Sequence, residues 1–427
     1  MTSATPRPAA TSSSRPPQTV YLHIGLHKTG TTYLQNVLRA NREGVRGQGV
    51  DFPGGPGEPV QAFAVWDLQG RRPRGVDDKR VGGSWKALVE AVNSSGLRSA
   101  LISEERLSLA NLRQVRTAVQ SFPDSQVHVV ITARDLARVV VSAWQEEVKN
   151  DQTWTWQEFA DSVKDPGQLA TSPARGFWMR QDLVQIAETW ESAVPAERIT
   201  IVTVPQSGTS PDLLLERFSS VVGIDPTALT EEPAWNNETV GVAATEVIRR
   251  LNERLGGRLN QRAYDKVIKL TVVKQLARRT DPARFALPAE EFDWVTERAE
   301  AMIEAVRARG YAVVGDLDEL RPRQVSNARR PDDATESELL EAALDGFAML
   351  AEQYAISWWA RRRSAASEGG RAGDLASRAR STVFRGQRTA ATLADKNPLA
   401  ARALGFGLAM RDRARRRARD RARRREM

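Results

Sequence analysis

Residues 20–38 read VYLHIGLHKTGTTYLQNVL. The first five residues are β-branched, aromatic or apolar, apart from His23, and Gly25 follows them, which is the pattern of a buried strand ending in a turn. From Thr31 the apolar positions recur at helical spacing, so the loop around Lys28 joins a strand to a helix. A glycine-containing turn lets backbone N–H groups converge on an anion, and the helix start adds partial positive charge. Thr29, Thr31 and Thr32 add hydroxyl donors and Lys28 adds a point charge. The alternative is a corner in which Gly25 and Gly30 merely permit a tight turn. The glycines have the spacing of the nucleotide P-loop GxxxxGK[ST], but Thr31 stands where that motif has lysine, which argues against an ordinary ATPase or GTPase.

Further along the chain, short apolar runs at 50–53, 100–103, 127–132 and 199–204 look like additional buried strands. Between them lie helical patterns at 31–41, 84–93, 136–150 and 180–192. This alternation predicts βαβ units and a parallel sheet covered on both faces, with ligands at the carboxyl ends of the strands. The second half is mostly helical in pattern, at 212–222, 240–255, 290–309 and 336–363.

A second anion motif lies in VHVVITARDLARVVVSAW, where a strand ends at Thr132, Arg134 follows, and Ser142 sits about two turns into the next helix. An arginine and a hydroxyl facing one crevice make a phosphate clamp. Equally, Arg134 can pair with Asp135 and Ser142 can be a small helix-contact residue. Arg138 is one turn from Ser142 and can assist or stay on the surface.

The segment HIGLHKTGTTYLQ resembles the 5′-phosphosulfate loop of PAPS-dependent sulfotransferases, in which the lysine lies within the loop. Arg134 and Ser142 reproduce the eight-residue spacing of that family's 3′-phosphate site. The similarity runs over about residues 19–320, including RQDLVQIAETWESAVPAERITIVTV and WNNETVGVAATEVIRRLNERL. It implies an α/β, P-loop-like three-layer fold, with a central parallel β-sheet flanked by helices and a helical C-terminal extension. It also implies PAPS (3′-phosphoadenosine 5′-phosphosulfate) as sulfuryl donor, no metal, and Lys28, Thr29, Gly30, Thr31, Thr32, Arg134 and Ser142 around the donor.

Sulfuryl transfer needs charge stabilisation on the leaving phosphate, assigned to Lys28, and a base for the acceptor proton. The family places a histidine or glutamate at a strand end in this interval. Glu104 in ALISEERLS is the candidate base, with Ser103 as a positioning group; the other reading has Ser103 capping a helix whose first turn holds Glu104 and Glu105. His27, inside the loop, is the rival base. His23 and His128 read as core residues. The Arg-Lys-Gly segment that completes the 3′-phosphate site in cytosolic animal and plant enzymes is missing, so a third contact stays unassigned, and Trp66, Trp85 and Trp235 are candidates to stack on adenine.

The chain has 427 residues, 41% hydrophobic and 27% charged, which fits a globular body of one large or two to three ordinary domains. It contains no cysteine and only three histidines, which excludes disulfides, thiol nucleophiles and zinc fingers. The net charge of +9 is unevenly spread: residues 361–427 hold 20 Lys or Arg and 6 Asp or Glu, leaving −5 for the body. The division expected is a flexible leader at 1–18, the sulfotransferase-like domain at 19–325, a helical extension at 326–365 and an Ala/Arg-rich, partly disordered basic tail at 366–427. The leader lacks a secretory apolar core and no run reaches the ~18 apolar residues of a membrane span, so the expected location is cytoplasmic, with peripheral attachment of the tail to the inner membrane surface as one reading. Partners expected are a small-molecule or glycan acceptor and an anionic membrane surface, with no specific nucleic acid. The alternatives are a P-loop nucleotide-binding protein or kinase with a basic, polyanion-binding tail, and a scaffold acting through that tail.

Overall fold

The computed structural model describes residues 17–72, 78–165, 172–210, 212–233, 240–279, 284–325, 328–330 and 332–368. The expected leader (save its last two residues), most of the basic tail and Trp235 lie outside the described residues.

Six parallel strands form one sheet: β1 (Gln18–His23), β2 (Val50–Asp51), β3 (Ser99–Ser103), β4 (Ser125–Ala133), β5 (Ile199–Thr203) and, after the two-residue β6 (Arg284–Phe285), β7 (Ala312–Val314). Their order is β2-β3-β1-β4-β5-β7. A separate two-stranded sheet pairs β6 with β8 (Ala328–Arg329). Every residue of β3 and β5 is buried, as expected of central parallel strands covered on both faces.

Alternation along the strands divides the core into two layers. Val20, Leu22, Ile102, Val129 and Ile131 face helices that include Gln61–Leu68, Ser84–Ser94, Leu112–Gln120, Leu183–Glu191 and Phe292–Arg309. Leu101, Val130 and Val202 face the opposite layer, where Leu34, Leu38, Leu214 and Phe218 come from Thr31–Ala40 and Leu213–Val222. The fold is therefore the three-layer α/β arrangement that the strand–helix alternation predicts.

The sheet order also sets the site. β1 pairs with β3 on one side and β4 on the other, so the chain grows away from β1 in both directions. The loops leaving β1 and β4 diverge at that switch point and open a crevice.

One local expectation changes, and one strand of the sheet was not expected. The single helix expected at 180–192 is two helices, Ser172–Gln181 and Leu183–Glu191, because the Asp182 carboxylate accepts from the Gln185 N–H at 3.0 Å and caps the second. β7 is only three partly exposed residues, too short to give an alternation signal. Contacts divide the chain into a unit at 1–347 and a second at 348–427. The helix Glu336–Glu368 begins in the first and ends in the second. Among the described residues no helix is long and apolar enough to cross a membrane.

Candidate active site

The loop after β1 is an extension of the sheet. The Ile24 N–H donates to Val130 O at 3.0 Å and the Leu26 N–H to Thr132 O at 2.7 Å, while the Thr132 N–H returns to Gly25 O at 2.5 Å. Gly25 has φ +105°, and a Cβ there would lie 3.2 Å from Glu105 Cβ, so the glycine allows the loop to pass close over Glu105. Gly30 has φ +85° and caps the helix Thr31–Ala40; a Cβ there would reach Leu214 Cδ2 at 2.6 Å. Lys28 itself takes φ +65°, a conformation that costs a non-glycine residue roughly 1 kcal/mol.

Thr29 turns inward. Its hydroxyl donates to Leu26 O at 2.6 Å and lies 2.6 Å from Thr132 Oγ1, so this side chain ties the loop to β4, and only its backbone is left for a ligand. Thr31 and Thr32 open the helix and line the cavity, as do Lys28, Gly30, Arg134 and Ser142. The two motifs recognised in sequence thus meet in one cavity of about 620 Å³.

Arg134 is the bridge between them. Its Nη1 donates to Lys28 O at 3.3 Å, and its Nε is buried with no partner among the described residues. Burial, with Arg138 adding to it and Asp135 opposing, lowers its pKa to about 10, which leaves it cationic at neutral pH. It does not pair with Asp135. That carboxylate, 1% exposed, caps the helix Leu136–Lys149 and binds Arg138 Nε, while Arg138 Nη2 donates to Pro205 O at 3.1 Å. Arg138 is therefore committed to holding the helix start.

The base candidates separate. β3 stops at Ser103 and Glu104 becomes the cap of a short 3₁₀ turn, Glu105–Leu109, accepting from Arg106 Nη1 at 2.5 Å. Glu104 is buried away from the cavity, and that burial pushes its pKa up to about 7. The carboxylate that lines the cavity is Glu105, which accepts from Gln35 Nε2 at 3.1 Å. Burial works against its charge, but His27, backbone amide donation, Arg106 and Gln35 outweigh it and hold the pKa below the ordinary value. His27 also lines the cavity; burial lowers its pKa, only partly opposed by Glu105, and its Nε2 has no partner among the described residues.

Ser103 bonds elsewhere, its Oγ 2.7 Å from His23 Nδ1, with His23 Nε2 3.2 Å from Thr132 Oγ1. His128 Nε2 lies 2.8 Å from Thr200 Oγ1. Of the tryptophans, Trp66 lines the cavity with Arg106 Cζ 5.1 Å from its ring centre, whereas Trp85 packs at Phe122 and donates to Ser121 at 3.0 Å.

Residues outside the two motifs complete the electrostatics. Glu146 sits one turn beyond Ser142; its Oε2 lies 3.4 Å from Lys28 Nζ and its Oε1 3.7 Å from Lys269 Nζ. Burial opposes the Glu146 charge, but Lys28, Lys269, Lys149 and Asn150 lower its pKa. Lys149 is pushed down to about 8 by burial and by Lys28, with Glu146 opposing and Lys269 adding. The cavity wall carries seven Lys or Arg against three Glu, and so favours a multiply charged anion. Glu146 and Lys149 share Ser142's helix face by the i+4 and i+7 rule and were legible from it; Lys269 and Arg180 had no signal. Among the described residues no group of three or more His, Asp or Glu is placed to hold a metal ion.

No protein-family model matches the chain, and no curated protein matches it. Among solved structures, the chain is similar to a sulfotransferase from Alicyclobacillus acidocaldarius, with 12% identity over 59% of this chain and 99% of that one, at a TM-score of 0.35.

Proposed function

We propose that this protein is a PAPS-dependent sulfotransferase acting on a hydroxyl or amine acceptor. The observation that carries the reading is Arg134: a buried guanidinium whose Nε has no partner among the described residues, whose Nη1 donates to the Lys28 carbonyl at 3.3 Å, and which shares a cavity with Ser142 and the loop. A desolvated cation of this kind calls for an anion, and two anion motifs in one cavity suit a ligand with phosphate at both ends.

Arg134 and Ser142 would hold the 3′-phosphate. The 5′-phosphosulfate would lie on Gly30, the backbone of Thr29, and Thr31 and Thr32 at the helix start, with Lys28 beside the bridging oxygen. The acceptor oxygen or nitrogen attacks sulfur in line, the bond from sulfur to the bridging oxygen breaks, and the electron pair stays on the 5′-phosphate, where Lys28 meets the new charge. The acceptor proton goes to a carboxylate. Glu105 is the better placed of the pair because it lines the cavity and its pKa is held down, with His27 next to it.

The kinase reading would want lysine at position 31 and a free acidic metal ligand after β4. Position 31 is threonine, and Asp135 is spent on Arg138 and the helix cap. Isothermal titration with 3′,5′-ADP and with ATP plus magnesium separates the two. Binding of 3′,5′-ADP is expected; strong ATP binding with none of 3′,5′-ADP would sink the sulfotransferase reading. A sulfur-35 transfer assay then identifies the acceptor.

A further inference from the structure

The donor uses only part of the positive charge in the cavity. On the sulfotransferase reading, Arg134 and Lys28 serve the donor. Of the other cations, Arg71 is exposed, Arg106 donates to Glu104, and Arg180 Nη1 lies 3.4 Å from Glu147 Oε1. Each of the last two has its own carboxylate. The lysines do not: Lys28, Lys149 and Lys269 line the cavity around one carboxylate, Glu146.

Three separate elements bring these lysines together. Lys28 comes from the loop after β1, Lys149 from the last turn of the helix Leu136–Lys149, and Lys269 from the π-helix Asp265–Val273. A cation in a last turn suits the negative end of its own helix, which accounts for Lys149 alone. Lys269 Nζ lies 3.7 Å from Glu146 Oε1 and donates to Asn150 Oδ1, while Asn150 Nδ2 donates to Glu146 Oε1 at 3.0 Å. Lys149 has no hydrogen-bond or ion-pair partner among the described residues. Burial, then Lys28, lower its pKa to about 8 against Glu146, so it stays cationic at neutral pH in a wall short of negative charge.

The excess charge sits at one end of the cavity. Ser142, Glu146 and Lys149 share a helix face, which puts Lys149 about 10 Å along the axis from Ser142. Lys28 meets that face between them, at Glu146, and Asn150, which Lys269 binds, is one residue beyond Lys149. With the 3′-phosphate on Arg134 and Ser142 and the bridging oxygen at Lys28, the two remaining lysines lie beyond the sulfur, where an in-line acceptor stands. Once the donor takes Lys28, Glu146 matches only one of them. We propose, resting on the sulfotransferase reading, that the acceptor is itself an anion: a hydroxyl or amine compound whose carboxylate, sulfate or phosphate group binds Lys149 and Lys269. A neutral acceptor leaves a half-buried ammonium without a counter-charge, so the same lysines select against it.

The test uses the full chain saturated with 3′,5′-ADP and a set of sugars that share hydroxyls and differ in charge: glucose, glucuronate, glucose 6-sulfate and glucose 6-phosphate. In titration calorimetry at least one anion should bind about tenfold or more tighter than glucose, and its identity separates carboxylate, sulfate and phosphate. Sulfur-35 transfer from PAPS should favour the same anion over glucose in kcat/KM. Lys149→Gln should lower the preference at least about fivefold, and Lys149→Arg should keep most of it. Lys149 has no partner to lose, so thermal unfolding of both variants should match the wild type. A protein that binds 3′,5′-ADP but takes none of the anions better than glucose would overturn this inference alone. So would an undiminished preference in Lys149→Gln, or displacement of 3′,5′-ADP by the sugar anions, which would put them in the donor site. Absence of 3′,5′-ADP binding would sink the sulfotransferase reading, and this inference with it.

Discussion

Lys28 Nζ lies 3.4 Å from Glu146 Oε2, so the one lysine of the anion loop is tied to a helix turn that sequence comparison with nucleotide loops does not include. Lys269 Nζ lies 3.7 Å from the same carboxylate, and the Lys149 charge also helps to lower its pKa. An anionic ligand therefore competes with Glu146 for Lys28. Lys28→Ala is expected to lower turnover by about 10² or more, as loss of a donor to the leaving phosphate should. Glu146→Gln is expected to act the other way on binding, tightening 3′,5′-ADP several-fold and steepening its salt dependence. Titration calorimetry at two salt concentrations checks it; weaker binding by the glutamine variant would make Glu146 a ligand-positioning group and not a competitor.

The two adjacent glutamates make opposite predictions for the pH profile of kcat. A general base must be ionised to work, so activity falls as pH drops through its pKa. If Glu105 is the base, the acid limb lies below the ordinary carboxylate value, because its pKa is held down. Were Glu104 the base, the limb would lie near pH 7, where burial has raised that group. The expected profile is flat from pH 8 to well below 6. Glu105→Gln should cost about 10²-fold or more in kcat, while Glu104→Gln should leave kcat within a few fold. A limb near neutrality, abolished by Glu104→Gln, would restore Glu104 to the role its strand-end position suggests.

Arg134 and Arg138 flank the start of one helix and are expected to fail differently when removed. Arg134→Ala should weaken 3′,5′-ADP binding about 10- to 100-fold and 5′-AMP binding far less, since the contact proposed for it is to the 3′-phosphate. Arg134→Lys should restore little of it, because a buried planar fork is not replaced by a point charge. Arg138→Ala should instead lower stability by about 1–3 kcal/mol, because it strands the buried Asp135 that caps the helix. Equal losses for both nucleotides on Arg134→Ala would remove that residue from the 3′-phosphate site.

What was legible in the sequence divides along physical lines. All five strands inferred from apolar runs form within two residues of their expected ends, because buried parallel strands leave dense apolar signals. Lys28, Arg134 and Ser142 reach one cavity because each comes after a strand end at the switch point, which sequence order alone conveys. Which of Glu104 and Glu105 lines the cavity was not legible. It turns on a single residue of 3₁₀ turn after Ser103, below the resolution of any periodicity. Lys269 stands on a stretch of π-helix at Asp265–Val273, far from either motif in sequence, and only tertiary packing brings it to Glu146. Trp85 went to the core and Trp66 to the cavity for a similar reason: both lie on helices of one layer, and only their facing differs.

His23 gives a prediction for the fold itself. It stands at the end of β1 with no exposed surface, its ring nitrogens engaged by Ser103 and Thr132 and its face 4.8 Å from Phe218. Burial lowers its pKa to about 4, the nearby Glu105 carboxylate only partly opposing. In the unfolded chain it titrates near the ordinary value of about 6.5. A group whose pKa is depressed on folding contributes stability that is present above the unfolded value and is lost as pH falls through the folded one. The protein should therefore lose up to about 3 kcal/mol through this residue between pH 6.5 and pH 4. Urea unfolding at a series of pH values measures the slope. His23→Gln keeps a polar group for Ser103 without an ionisable ring, so it should unfold more easily at pH 7.5 but with a visibly shallower acid slope. A slope identical to that of the wild type would mean that the His23 pKa is the same in the folded and unfolded chain, and that burial does not depress it.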